Sequence, residues 1–212
     1  MDCFYYPDVF NDVVDLEHAK RLTVTREGDL TSEVRWEIET KFTIDTLFRF
    51  ILPSFVLDYG CGVGRLSKAL IDQVCCSVTG VDLSPKMRAL STEYVGNSRF
   101  RVCSSEQLQL SRMKYDCAIA AWVLQHCISP SMDIDLIADM LGPKSFFLVL
   151  GTLARKIPIR APADATLCWM DDGIDIRELT LKRFDLVEQG TFTAPELEQL
   201  NDGNYWAIYQ RK

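Results

Sequence analysis

The stretch Val56-Leu57-Asp58-Tyr59-Gly60-Cys61-Gly62-Val63-Gly64-Arg65-Leu66-Ser67 decides the fold. An apolar strand runs through Asp58 into a turn with glycine at 60, 62 and 64, and the turn passes directly into residues spaced for a helix. Glycines in such a turn let the backbone approach a bound molecule closely, because no Cβ occupies the space. A dinucleotide fingerprint, G-x-G-x-x-G, needs glycine at position 65, where this chain has Arg65. The loop therefore leans away from NAD, and an oxidoreductase of that type is disfavoured.

Outward from the loop, strands and helices alternate, the pattern of a parallel sheet with helices on both faces. Val56 to Asp58 is the first strand, followed by a helix that buries Val63, Leu66, Ala69 or Leu70 and Val74. Ser77 to Asp82 is the second strand, and Ser84-Pro85 supplies a cap and first-turn proline for a helix carrying Met87, Leu90, Tyr94 and Val95 inward. Phe100 to Val102 and the apolar run Cys117 to Ala121 are the next strands. A helix from about Met132 to Leu141 is expected to start at Ser131 and to stop at Gly142-Pro143, with Phe146 to Leu150 as the fifth strand. Thr152 to Asp172 reads as an irregular insertion, and a helix near Ile174 to Leu181 leads to strands Phe184 to Gln189 and Tyr205 to Gln210. Thr193 to Asn204 reads as the loop of an antiparallel arm. Upstream, Ser32 to Ile51 reads as an amphipathic helix with Trp36, Phe42, Leu47 and Ile51 on its apolar side, whereas Met1 to Leu30 has no firm period. The expected architecture is α/β: a doubly wound, mostly parallel seven-stranded sheet with an antiparallel final strand and a short N-terminal helical cap. Residues 1–51 form the cap segment and helix, and 52–212 the sheet domain, one structural domain overall.

Composition narrows the class. With 212 residues, 48% hydrophobic and 25% charged, the chain has enough apolar side chains for one buried core. No apolar run approaches the ~18 residues that span a bilayer, and the start of the chain lacks a secretory pattern. The eight cysteines form no C-x-x-C pair, and the two histidines, His18 and His126, fit no zinc-ligand spacing. Free thiols in a reducing cytoplasm are the expectation. A formal net charge of −7 disfavours a broad nucleic-acid face. The one short basic cluster, Ala154 to Arg160, reads as a solvated loop.

The motif D-x-G-x-G-x-G at Asp58 to Gly64 resembles the first motif of the class I S-adenosylmethionine-dependent methyltransferases, with small-molecule members of the methyltransferase-11 type as the nearest pattern. The resemblance covers roughly Arg35 to Lys212. It implies contacts to S-adenosylmethionine from Gly60, Cys61 and Gly62, and a role for Asp58 in holding the methionine ammonium; Asp58 could equally cap backbone groups at the strand end. Asp82, at the end of the second strand, would accept both ribose hydroxyls. Leu83 and Met87 would flank the adenine, although Met87 also suits a core position. After the third strand, Val-Cys-Ser-Ser-Glu matches a stretch where the family has an aspartate, so Ser104 is the clearest departure. Ser105 and Glu106 remain for the adenine edge, since a neutral hydroxyl lacks the charge assistance of a carboxylate.

After the fourth strand, Ala-Ala-Trp-Val-Leu-Gln-His-Cys resembles a further family motif. Ala120, Ala121 and Trp122 would lie along the cofactor, and Gln125 with His126 would face the methyl acceptor. His126 is the candidate general base, against a structural role at the start of a loop. The Asn/Asp-Pro-Pro-aromatic and Pro-Cys motifs of DNA methyltransferases are absent from this stretch, and no acidic cluster for magnesium is evident. The acceptor pocket is expected from parts outside the common core, with Tyr5, Tyr6, Trp36, Trp122 and Trp169 as aromatic candidates and Arg35, Lys41 and Arg155 as partners for a carboxylate. The expected function is methyl transfer to an oxygen or nitrogen of a small organic molecule, without nucleic acid, membrane or metal. The alternatives are a cofactor- or partner-binding protein without catalysis, and a protein or RNA methyltransferase.

Overall fold

The computed structural model describes residues 4–23, 32–160, 166–194 and 203–212. In chain order the elements are β1 (Phe4–Tyr5), a 3-10 turn at Pro7–Phe10, α1 (Leu16–Thr23), α2 (Ser32–Phe48), β2 (Phe55–Tyr59), α3 (Arg65–Val74), β3 (Ser77–Val81), α4 (Pro85–Val95), β4 (Phe100–Cys103), α5 (Ser105–Gln109) and β5 (Tyr115–Ala121). A 3-10 turn at Leu124–His126, α6 (Pro130–Met140), β6 (Leu141–Thr152), β7 (Ile157–Arg160), β8 (Leu167–Met170), α7 (Ile176–Leu181), β9 (Phe184–Gly190) and β10 (Asn204–Arg211) complete the order.

The main sheet has the expected seven strands, in the order β4-β3-β2-β5-β6-β10-β9. Its β2, β3, β4, β5 and β6 pair in parallel, and β10 runs antiparallel to both β6 and β9. The two-residue period of the strands sends alternate side chains to two cores. Val56, Cys117, Ile119, Leu148 and Ile208 pack with α2 and α3, whereas Leu57, Ala118, Phe147, Ala207 and Tyr209 pack with α6 and α7. Asp58 and Tyr59 therefore face opposite layers. Asp58 accepts a 2.6 Å hydrogen bond from Ser67 on α3, and Tyr59 donates at 2.5 Å to Asp133 on α6.

Four expectations on the way are corrected. The α6 N-cap is Ser129 rather than Ser131, because Pro130 takes the first helical position, where its missing N–H costs nothing. Gly142-Pro143 does end the helix at Met140, but both residues belong to β6, where an irregularity between Tyr115 and Cys117 of β5 accommodates the residues between Leu141 and Phe146. The stretch 152–172 is not wholly irregular: β7 and β8 join β1 in a second, three-stranded antiparallel sheet. Its strands are two to four residues long and join residues 4–5 to 159–160, so no local period announces them. Helix α2 ends at Phe48, three residues before the expected limit. Residues 195–202 of the expected arm lie outside the described residues; its two ends are clasped by paired hydrogen bonds between Asn204 and the Phe192 backbone.

A buried ion cluster fastens α2 to the core. Glu39, fully buried, accepts from Arg35 at 2.6 Å and from Arg65 at 3.4 Å. The Arg65 guanidinium also bonds Thr40 and the Trp36 carbonyl and lies over the Trp36 ring. Burial pulls the Arg65 pKa down, and the Glu39 charge opposes that shift. The residue that departs from the dinucleotide pattern thus clamps the N-terminal helix to the glycine loop. Replacing Glu39 with Gln keeps the shape but leaves the guanidinium groups without their counter-charge, and should cost about 3 kcal/mol in urea unfolding.

Gly60 has φ +72°, and a Cβ there would sit 2.3 Å from the Val123 side chain. Gly60→Ala should lower stability by at least ~2 kcal/mol through clash and left-handed strain. The Val123 Cβ itself would lie 2.5 Å from the added methyl, so the double variant Gly60→Ala/Val123→Ala should recover only the part of the clash due to the two γ-methyl groups, read as a small partial return of the thermal midpoint.

Candidate functional site

Chain order in the sheet reverses between β2 and β5: β2 leads outward to β3 and β4, and the chain then crosses back to β5 and β6. In open α/β sheets the crevice at such a reversal, beyond the carboxyl ends of the strands, is where ligands bind. Asp58, Gly60 to Gly62, Asp82, Leu83, Ser104 and Trp122 all lie at or just beyond those ends. The fold thus brings the predicted residues to one rim, but their side chains are used differently from one another.

The glycine turn is held by its own backbone. Gly60 and Cys61 amides both donate to the Val81 carbonyl, at 2.7 and 2.9 Å, and the Gly64 amide donates to the Cys61 carbonyl at 2.8 Å. The space freed at Gly60 is filled by Val123 from the turn after β5. Gly62, with φ +53°, faces Thr23 of α1, 3.4 Å from the place of a Cβ. The Cys61 thiol points down onto Gly80, is buried, and has its pKa raised well above the thiol range by that burial. Only the backbone of Cys61 is available to the crevice.

Asp82 is the carboxylate at the rim. Its Oδ2 accepts from the Gly62 amide and its Oδ1 from the Ser84 amide, each at 2.9 Å. Arg88, which sequence reading did not single out, donates to the carbonyls of Asp82 and Leu83 and so fixes the end of β3. Burial raises the Asp82 pKa, opposed by those two amides and by Arg88. Leu83 beside it is half exposed. Asp58 is different: it is buried, turned toward Ser67, and its pKa is pushed up to about 6 by burial, with the Ser67 bond and Arg65 acting the other way.

Met87 belongs to a small cluster with Val13, Ala19 and Val63, so it packs under the N-terminal segment. Ser104 caps α5: its Oγ accepts from the Gln107 amide while the Gln107 side chain accepts from the Ser104 amide. The neutral residue in place of an expected carboxylate thus has a local task, the reciprocal capping box. Ser105 opens that helix, and Glu106 is exposed, its pKa lowered mainly by a hydrogen bond from Ser104.

After β5 the chain turns sharply. Trp122 has φ +59°, and its amide donates to the Leu150 carbonyl. Ala121 and the Trp122 ring pack on the α2 side, with Phe192 edge-on to Trp122, and the indole Nε1 is buried without a hydrogen-bond partner. Gln125 is buried, and its Oε1 likewise has no partner. His126 Nδ1 lies 2.6 Å from the Lys156 carbonyl, which accepts only, so Nδ1 carries the proton and Nε2 is the basic nitrogen. The Gln125 side-chain amide reaches that Nε2 at 3.4 Å. The imidazole lies between Phe10 and Trp169, with ring centroids 5.5 and 5.4 Å away, and burial pulls its pKa below the usual histidine value.

Of the other candidates, Arg35 is committed to Glu39 and Lys41 pairs with Asp45 on the surface. Arg155 corrects the reading of its segment as a solvated loop, because its side chain is 1% exposed. Tyr6 stacks on Arg160 at 3.6 Å, and Trp36 lies against Arg65 and Tyr94. Tyr5 has its pKa pushed up to about 12, chiefly by burial and then by Cys127 and Asp133. The candidates Tyr5 and Arg155 gather here with three residues that sequence reading missed, Tyr59, Cys127 and Asp133: Cys127 and Asp133 lie within electrostatic reach of both tyrosines, and Arg155 within reach of Tyr5 and Cys127.

Comparison with known proteins places this geometry. A family model described as a methyltransferase domain matches residues 57–149. The N-terminal Xaa-Pro-Lys N-methyltransferase 1 of Xenopus tropicalis is 23% identical over 121 residues, 54% of this chain and 54% of that protein. The ubiquinone biosynthesis O-methyltransferase of Shewanella halifaxensis is 29% identical over 120 residues, 54% of this chain and 50% of that protein. The chain thus spans about half the length of the curated relatives it matches. Among solved structures, the magnesium protoporphyrin IX methyltransferase of Synechocystis PCC 6803 with bound S-adenosylhomocysteine shares the fold, with a TM-score of 0.65 at 17% identity over 97% of each chain. Motif, family model and fold point the same way: residues 57–149 match the methyltransferase-domain model, and the chain shares its fold with a solved methyltransferase.

Proposed function

We propose that this protein binds S-adenosylmethionine across the carboxyl ends of β2, β3, β4 and β5 and transfers its methyl group to an oxygen or nitrogen of a small organic molecule in the cytoplasm. The observation that carries the cofactor assignment is Asp82. Each of its oxygens takes one backbone amide and keeps a lone pair, so the carboxylate fits a pair of ribose hydroxyls. The unpartnered Trp122 indole N–H at the same rim, with Ala121 beside it, is a further donor for the ligand. The backbone from Gly60 to Gly62 would hold the methionine end, and Leu83 would cover one face of the adenine. Ser105 and Glu106 would meet the adenine edge. Ser104 and Met87 contribute by shaping that edge, since one caps α5 and the other packs under the N-terminal segment.

When bound, S-adenosylmethionine supplies a methyl group on a positively charged sulfur, which departs as a neutral thioether. The residues of the chain then have two tasks, alignment of the acceptor with that methyl and removal of a proton. His126 is suited to the second. Its lowered pKa keeps it neutral near pH 7, and its tautomer leaves Nε2 to receive the proton that an amine or hydroxyl acceptor gives up. The rings of Phe10 and Trp169 close over it, an enclosure that suits a small molecule.

A second reading, a peptide end as acceptor, is favoured by the match to an enzyme named for protein N-termini, and the net charge of −7 suits a cationic substrate. A binding protein without catalysis would hold S-adenosylhomocysteine yet release none from S-adenosylmethionine with any acceptor. Supplying small amines and phenols in one arm and short basic peptides in the other, with S-adenosylhomocysteine release as the readout, separates these readings. No helix among the described residues is long and apolar enough to cross a membrane.

Asp82→Ala should weaken S-adenosylhomocysteine by ~30-fold or more in calorimetry, about 2 kcal/mol, while the fold is retained by circular dichroism. An unchanged affinity removes the ribose assignment. His126→Gln should lower kcat ~100-fold on an accepted amine or phenol with cofactor affinity unchanged. In the wild type the rate should hold below pH 6.5 before falling, since the folded-state pKa is lowered.

Asp58 makes a prediction about stability. Its folded-state pKa of about 6 lies above the ordinary 3.8, so the folded protein binds this proton more tightly than the unfolded chain. Its contribution is present at low pH and is lost as pH rises from about 4 to about 6, an effect of roughly 2–3 kcal/mol. Asp58→Asn should flatten that part of the stability profile, measured by urea unfolding across the range.

A further inference from the structure

The segment Arg155-Lys156 grips the turn that carries His126 from both sides. The Arg155 side chain, almost wholly buried, donates through Nε to the Gln125 carbonyl at 3.3 Å and through Nη2 to the Cys127 carbonyl. These are the two carbonyls flanking His126 in sequence. The Lys156 amide donates to the same Gln125 carbonyl at 2.9 Å, and the Lys156 carbonyl accepts from His126 Nδ1 at 2.6 Å. The strap is itself tied to the segment after β8: the Arg155 amide donates to Asp171 at 3.2 Å, and its guanidinium lies 3.7 Å from Asp172.

We propose that Arg155 is the positioning residue of the methyl-transfer site: its forked guanidinium clamps the carbonyls of Gln125 and Cys127, so that the Lys156 carbonyl meets His126 Nδ1 and Nε2 is left as the basic end. This rests on the reading of His126 as the base. A planar guanidinium spans two carbonyls at once, whereas a lysine ammonium is a single point on a flexible stem. The fork places the backbone of residue 156 relative to the ring, and the Lys156 side chain, which is exposed, has no part in it.

The chain provides its own spectroscopic reference, because it has only two histidines. His18 Nδ1 accepts from the Val14 amide, which assigns it the opposite tautomer, with the proton on Nε2. In long-range 1H–15N spectra of the full chain at pH 7.5, wild-type His126 should show the Nδ1–H form and His18 the Nε2–H form. In Arg155→Met and in Arg155→Lys, His126 should move toward a mixture of tautomers. The kcat should fall at least tenfold with KM for S-adenosylmethionine within twofold, and lysine should fail to rescue despite retaining the charge beside Asp172.

A wild-type His126 found in the Nε2–H or the charged form overturns the proposal without any variant, which covers the case of an unfolded Arg155→Met. Unchanged tautomer and kcat in both arginine variants overturn it as well, as does full rescue by lysine. Full activity in His126→Gln, with the tautomer still shifting in the arginine variants, would instead refute His126 as the base and leave the clamp standing.

Discussion

The contact between Gly60 and Val123 is the constraint on which the site depends. With no side chain at Gly60, the turn after β2 accepts the Val123 side chain from the turn after β5, and the two turns lock at the point where the sheet order reverses. One turn carries the cofactor loop and the other carries Trp122, Gln125 and His126. The separation between a bound sulfonium and any group acting on the acceptor is therefore set by van der Waals contact within a close-packed interior, where a displacement of a fraction of an ångström is resisted. The glycine that reads as space for a ligand is instead space for a valine. What remains uncovered around it is the backbone of residues 60–62 and the Asp82 carboxylate, the groups proposed to face the cofactor.

Around that lock the chain invests buried charge in holding accessory parts to the core. Glu39 between Arg35 and Arg65 fastens α2 against the glycine loop, and Arg155 fastens the small sheet against the turn after β5. Buried ions of this kind are costly to desolvate and contribute little net stability compared with apolar packing. What they provide is geometry: a guanidinium with several fixed donors admits few arrangements, so each accessory element seats in one way. Both arginines lie next to segments that would touch ligand, where orientation matters more than stability.

Two polar atoms in the turn after β5 are buried without partners, Trp122 Nε1 and Gln125 Oε1. Such atoms carry a desolvation cost that folding does not recover. Both belong to the turn that also carries His126. The strained backbone of Trp122, a non-glycine residue at positive φ, falls at the same place.

The sequence by itself determined the sheet, the glycine turn and the order of the strands' carboxyl ends. Those rest on local rules: two-residue alternation, 3.6-residue periodicity, and turn chemistry at Ser84-Pro85 and Gly60 to Gly64. The positions of Asp82 at the end of β3 and of His126 in the turn after β5 were legible for the same reason. Only the tertiary structure decided which of those side chains are free. Asp58 turned to Ser67, Cys61 folded onto Gly80, Met87 was taken by the N-terminal segment, and Ser104 became a helix cap. It also decided that residues 4–5 pair with 159–160 and that Arg155 reaches Gln125 and Cys127, across 30 and 28 positions. Pairings at that separation leave no period in the chain, because their partners are chosen by the packing of the finished sheet and not by neighbouring residues.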